Sequence, residues 1–203
     1  MDEGLIYLRK LSNSGYQEAQ FILGQAYADD GRYDLAYRQY LQAAKRNHAA
    51  AAFEVARLSE IAPNGVKKNT RQALEYYTKS ASSGHPRAMY RMALAELHGE
   101  LGLRKNVKNG IKWLNRGASG MSLFSKKNSH IAVADAESPE PLYELSIIYE
   151  QGIPPDVLAD MAHSQSLLVE AAELEYRPAQ YRLGFCFEHG RNGFPVNHVS
   201  HFR

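Results

Sequence analysis

The chain has one cysteine, so no internal disulfide framework holds it, and a reducing compartment fits. It has no run of about 18 apolar residues, so no segment reads as a membrane-crossing helix. No N-x-Ser/Thr glycosylation site occurs. The opening residues, Met1 to Tyr7, lack a basic region followed by a long apolar run, and no secretory signal is expected. Ser200 to Arg203 carry no prenylation box. Excess charge is also scarce. A net charge of +2 over 203 residues gives no compositional reason to expect a nucleic-acid partner. G-x-S-x-G, Walker A, G-x-G-x-x-G and H-E-x-x-H are all missing. Acidic neighbours such as Asp29–Asp30, or Glu137 with Glu140, have no spacing that implies a shared pocket. An enzyme reading therefore has no motif to rest on, and no catalytic residue, cofactor or metal is expected.

What the chain does have is a pattern repeated five times: small, x, aromatic, x, apolar, small, x, x, apolar, x, x, Gly. It is clearest from Ala19 through Phe21, Leu23, Gly24 and Tyr27, and from Ala179 through Tyr181, Leu183, Gly184 and Phe187 to Gly190. Worn copies begin at Ala51, Ala88 and Pro141. A second pattern alternates with the first, reading small, x, x, aromatic/apolar, aromatic/apolar, x, x, small, small. Ala36 to Ala44, Ala73 to Ala81, Gly110 to Ala118 and Ser164 to Ala172 follow it, and Gly4 to Leu8 opens the chain on another copy. Offsets of 3, 4, 7 and 8 are helical, so each repeat is read as two amphipathic helices, A and B. Repetition at this length implies stacked supersecondary units, which usually work by presenting a surface.

From the start of helix B to the next helix A is 15 residues four times, from 4 to 19, 36 to 51, 73 to 88 and 164 to 179. That constancy predicts one turn geometry. Gly15 and Gly84 share a slot where a left-handed helix end favours glycine, and Asn47 fills it once. Pro86 and Pro178 stand where a new helix can begin. The A-to-B loops vary, and Asn69, Thr70 or Asn109 is expected to cap a following helix. Repeats start near 19, 51, 88, 141 and 179, after an orphan helix over 1–17. The long third spacing predicts an insertion over 120–138, flexible or partly helical. The array is expected to occupy 1–191, followed by an irregular tail over 192–203. Leu183, Phe185 and Phe187 are expected to lie uncovered, with fraying or self-association of the last repeat. Cys186 is expected to act as a small buried hydrophobe, made more accessible by that position.

These alternating patterns resemble Sel-1-like repeats, relatives of the tetratricopeptide repeat, over nearly the whole chain. The resemblance implies an all-α, right-handed solenoid. A narrower likeness is carried by Glu3 to Leu8, Glu100 to Leu103, Gly110 to Leu114, Pro141 to Leu145, and Gly152 to Pro155 with Ala171 to Leu174. Those residues resemble the fungal chitin synthase activators, the regulators of chitin synthase III. The likeness implies a non-catalytic activator and scaffold that binds the synthase's catalytic subunit and a septum or bud-neck adaptor. It implies a cytoplasmic protein, recruited to the cytosolic side of the plasma membrane at a septum or growing tip, that meets the membrane only through its partners. Members of that family are longer, with a disordered N-terminal region, more repeats and often a prenylation box, so a fragment or truncated product is expected. The alternative is a general Sel-1-like adaptor in signalling or protein degradation.

For binding, offsets 3 and 10 of each helix A are not needed for the core. They hold Glu54, Arg91, His98, Glu144, Gln151 and Arg182, together with Ile22, Asp29, Ile61 and His189. Mostly polar, and alternating in sign, these suit a groove for an extended segment or partner helix. The basic loops around Lys67–Lys68 and Arg104–Lys105 with Lys108 suggest a stripe for an acidic partner or acidic lipid. His48 and His85 share one repeat slot and are read as scaffold residues.

Overall fold

The computed structural model describes residues 3–125 and 139–196. They form ten helices and no strand longer than one isolated bridge, between Ile153 and Val157. The all-α repeat fold expected from the sequence is the one observed. The helices are α1 (Glu3–Asn13), α2 (Gln17–Asp29), α3 (Tyr33–Lys45), α4 (Ala49–Ile61), α5 (Thr70–Ser82), α6 (Pro86–His98), α7 (Val107–Ser125), α8 (Glu140–Gln151), α9 (Met161–Glu173) and α10 (Arg177–His189). Even-numbered helices carry the A pattern and odd-numbered helices the B pattern. Two compact units result, Met1–Arg104 and Lys105–Arg203.

Small residues let neighbouring helices approach closely. Ala36, Ala43 and Ala44 of α3, and Ala51 and Ala52 of α4, are at most 1% exposed. Against them pack Tyr40, Val55 and Leu58, with Phe21, Tyr27 and Tyr37 at the margin. In the second unit Leu145, Leu168, Ala171 and Ala179 fill the corresponding positions.

The turn from B to A is one geometry used four times. Gly15, Asn47, Gly84 and Glu175 have φ of +89°, +68°, +94° and +59°. After each of them, a backbone N–H returns to a carbonyl five residues earlier: Tyr16 to Leu11, His48 to Ala43, His85 to Ser80 and Tyr176 to Ala171. These are Schellman bonds, which satisfy the carbonyls a helix end leaves open. Glu175 takes the glycine slot without being glycine, so the sequence pattern alone does not reveal its conformation. Three of the A-helices, α4, α6 and α10, end in the same left-handed region, at Ala62, Gly99 and Gly190.

Caps start the helices. Asn69 accepts from Gln72 N at 3.0 Å and Asp160 from His163 N at 3.0 Å. For α7 the cap is Asn106, which accepts from the Asn109 N–H at 3.1 Å. The cap expected at Asn109 is thus corrected, because Asn109 is the donor. His48 and His85 cap α4 and α6, accepting through Nδ1 from Ala51 N and Ala88 N. Each imidazole also stacks on the aromatic of the preceding helix A, Phe21 or Phe53, at 4.8 Å.

α7 runs on to Ser125, into the segment expected as an insertion, and residues 126–138 lie outside the described residues. After α10 the chain doubles back. Phe194 packs on Phe187 at 4.9 Å, and Gln165 Nε2 donates to the Asn192 carbonyl. The expectation that Leu183 and Phe187 lie uncovered is therefore corrected, since Leu183 is 3% exposed and Phe187 half-buried. Cys186 is 2% exposed, the buried small hydrophobe expected from the sequence without the added accessibility, and burial pushes its thiol pKa up.

Candidate protein-interaction faces

In the first unit a row of alternating charges runs across α4, α5 and α6. Glu54 and Arg57 pair at 2.6 Å along α4. Glu60, one turn further on, accepts from the Tyr77 hydroxyl at 2.8 Å and from Arg91 of α6. Arg91 also donates to Glu100 at 2.6 Å. One guanidinium therefore holds two carboxylates, gripping Glu60 through Nε and Nη2 in the fork geometry that favours arginine and Glu100 through Nη1.

The surroundings set the charge states. Burial raises the Glu60 carboxyl pKa, but hydrogen bonds from Arg91 and Tyr77 and the charges of Arg91 and Lys68 outweigh it, leaving the group below the usual carboxylate range. Burial opposes the Arg91 charge, and hydrogen bonds to Glu60 and Glu100 overcome it, so Arg91 titrates above the ordinary arginine range. The Tyr77 hydroxyl is raised first by burial and then by its bond to Glu60.

The second unit repeats one part of this arrangement. Arg182 of α10 donates to Glu150 of α8 at 2.7 Å, with 27% and 18% of the two side chains exposed. Glu60 and Glu150 occupy offset 9 of helix A, and Arg91 and Arg182 occupy offset 3 of the next helix A. The pair is therefore a rung tying one repeat to the next. By repeat offset, the repeats starting at Ala19 and Ala88 carry Ala28 and Leu97 at offset 9, so neither supplies the acid that such a rung needs.

Of the six residues read from the sequence as partner-binding, three form these rungs and pairs. Glu54 and Arg91 belong to the first unit's row, and Arg182 to the second unit's rung. His98 and Gln151 are exposed at the ends of α6 and α8, away from the paired row. Glu144 lies half-buried on α8, where its charge and that of Glu140 add to burial in raising the Tyr176 hydroxyl. The residues that sequence reasoning missed are Arg57, Glu60, Tyr77 and Glu150. The signal that finds Glu60 and Glu150 is an acid at offset 9 accompanied by arginine at offset 3 of the following repeat; Arg57 and Tyr77 carry no such signal. Ile61, 61% exposed at offset 10, and Ile22, 39% exposed at offset 3, add apolar surface at the same repeat offsets. Among the described residues, no group of three His, Cys, Asp or Glu side chains is placed to hold a metal ion. No described helix is long and apolar enough to cross a membrane.

The Sel1 repeat family model matches residues 49–85, 86–120, 142–176 and 177–199, more than half of the chain. The chain belongs to the Sel1 repeat family. Each full Sel1 match takes in one helix A and the helix B after it, so the Glu–Arg rungs run between successive Sel1 repeats. The same A and B patterns continue through α1, α2 and α3, ahead of the first matched residue.

Two curated relatives are fungal. Chitin synthase regulatory factor 2 of Schizosaccharomyces pombe is 32% identical over 196 residues, covering 93% of this chain and 36% of that protein. Chitin synthase regulator SKT5 of Malassezia restricta is 40% identical over 62 residues, covering 30% of this chain and 4% of that protein. The chain thus spans about a third of the first relative and a small fraction of the second. Among solved structures, a Sel1 repeat protein from Oxalobacter formigenes superposes with a TM-score of 0.80 at 20% identity, over 97% of this chain and 74% of that one. The Escherichia coli antigen c5321 gives 0.57 at 22% identity, over 95% of this chain and 45% of that one. These two likenesses establish the fold.

Proposed function

We propose that this Sel1 repeat chain is a non-catalytic adaptor that activates a fungal chitin synthase by binding it. The observation that carries the reading is the 32% identity to chitin synthase regulatory factor 2, which extends over 93% of the chain. The repeat architecture supports binding rather than chemistry, since stacked helix pairs offer long side-chain faces. The A-helix offsets supply such faces in each unit, with exposed Ile22 and Ile61 in the first and exposed Tyr181 and Phe185 in the second.

In this reading the chain holds a cytosolic segment of the catalytic subunit together with a septum or bud-neck factor. Activation comes from raised local concentration, or from preference for an active conformer of the synthase. The work is done in the cytoplasm, at the inner face of the plasma membrane near a septum or growing tip, and the membrane is reached through the partners.

The test is deletion of the gene in its fungus, followed by restoration of the 203-residue chain, with chitin synthase activity measured in isolated membranes. Activity lost and then restored is the expected result. Unchanged activity after deletion refutes the reading. Glu144→Arg and Gln151→Arg then test the face in the second unit, with helicity checked by circular dichroism. Arg91→Glu is a poorer probe, because Arg91 also joins α6 to Glu60 of α4.

A further inference from the structure

In the second unit a cavity of about 330 Å³ opens beside α8 and α10. Glu150, Tyr181, Arg182, Phe185 and Arg191 are among its lining residues. The first unit presents the same repeat positions with one change of sign. Offset 12 of helix A is Glu100 in the repeat that starts at Ala88, and Arg191 in the repeat that starts at Ala179. Arg91 therefore holds two carboxylates, Glu60 and Glu100. Arg182 pairs with one, Glu150, and a second arginine stands where the second carboxylate would be. Tyr77, which donates to Glu60, has Leu168 as its counterpart in the second unit. Among the described residues no ion pair forms at Arg191, whose guanidinium lies over the Phe185 ring at 5.4 Å.

We infer that this cavity binds an aspartate or glutamate side chain of a partner peptide, next to an apolar or aromatic residue laid on Tyr181 and Phe185. The guest carboxylate takes the part that Glu100 plays in the first unit and bridges Arg182 and Arg191. Two guanidiniums against one carboxylate leave a single positive charge, which matches one carboxylate better than a doubly charged phosphate. Tyr181 is 79% exposed and Phe185 37% exposed, and aromatic rings beside arginine give a peptide both apolar contact and charge pairing. Residues 197–203 contain no Asp or Glu, so no acidic side chain from that stretch can supply the guest. The inference deepens the adaptor reading and rests on it only in taking the ligand to be a protein segment.

The test uses the 203-residue chain, immobilised and panned against a phage-displayed random heptapeptide library. Enriched sequences are synthesised with a fluorescein label, each with a Glu→Gln or Asp→Asn counterpart, and binding is read by anisotropy. The expected result is enrichment of an acidic residue beside an aromatic or branched apolar one, with at least ten-fold weaker binding of the neutral counterpart. Arg191→Glu copies the first unit's arrangement by giving Arg182 a second carboxylate beside Glu150. It should weaken the acidic peptide at least ten-fold while leaving the thermal midpoint unchanged or raised. Tyr181→Ala, at an exposed position, should weaken binding with no change in helicity. Selection without acidic enrichment, or full binding by Arg191→Glu, overturns the inference. No chitin synthase is present in this assay, so its failure is separate from failure of the activator reading.

Discussion

Replacing Gly24 and Gly184 with alanine should move stability in opposite directions, although both fill the same slot of the A pattern. Both are helical, in α2 and α10. Helix propensity favours alanine at either site by about 0.8–1 kcal/mol. The neighbours differ. A Cβ on Gly24 would stand 2.6 Å from Tyr40 Cε1 and 2.7 Å from Cδ1. Tyr40 is 2% exposed and packs on Phe21 at 5.7 Å, so its ring has nowhere to retreat. Forcing an extra carbon into such packing costs about 1–3 kcal/mol, and contacts below 3.0 Å against a buried ring belong to the upper part of that range, about 2–3 kcal/mol, which leaves Gly24→Ala about 1–2 kcal/mol less stable once the propensity gain is subtracted. At Gly184 nothing lies within 4 Å of the added carbon, so Gly184→Ala should gain about 0.5–1 kcal/mol. Urea unfolding followed by far-UV circular dichroism gives the two midpoints. Native-state amide exchange then assigns each change to α2–α3 or α9–α10, so the comparison does not depend on two-state unfolding. A Gly24→Ala chain as stable as the parent would refute the close approach of α2 to the Tyr40 ring.

Three further outcomes follow from other junctions. In a Glu60→Gln/Arg91→Met double-mutant cycle, the coupling should be about 1–2 kcal/mol, between the values for exposed and buried pairs. Because the folded Glu60 pKa lies below its unfolded value, that coupling is present at neutral pH and is lost as pH falls through the folded value. Urea midpoints measured from pH 7 down to pH 3 check it, and a coupling that is flat with pH counts against the assigned charge pair. Ala62→Gly should stabilise α4 by about 0.5–1 kcal/mol, since Ala62 sits at φ +53°, a region glycine enters without strain; a lower midpoint would contradict this. His85→Ala removes the cap and ring stack of α6 and should cost about 1–2 kcal/mol, while His85→Asn recovers the cap alone; equal melting of the two variants would show that the cap contributes nothing.

The helices were legible because their small and aromatic residues recur at helical offsets in a fixed register. The turn was legible where glycine or asparagine marked it, at Gly15, Asn47 and Gly84. At Glu175 and Ala62 it was not, because those side chains tolerate the left-handed region only when packing and hydrogen bonds impose it. The candidate faces were half legible. Offset 3 was recognised as polar, but the partner at offset 9 was hidden by Ala28 and Leu97, which make that offset look apolar in two of the repeats. Whether a charged residue faces a solvated groove or ties two helices together depends on its neighbour across the junction. A single-helix pattern does not contain that neighbour. The folding back of Phe194 onto Phe187 lay beyond the periodic signal altogether, since a turn that follows the last helix has no period.

The recurring Schellman turn makes the two kinds of connection unequal in how they tolerate change over evolutionary time. From B to A the chain counts residues: one inserted after Gly15 or Gly84 would turn the next helix by about 100° and swing its small face off its neighbour. From A to B nothing is counted. Those linkers range from residues 30–32 to residues 152–160, and α2 with α3, α4 with α5, and α8 with α9 still pack. The heritable module is therefore a B-helix with the A-helix after it, out of phase with the A-then-B Sel1 match. Recombination cut inside the A-to-B linkers should give folded chimaeras, whereas cuts at the four short turns should not.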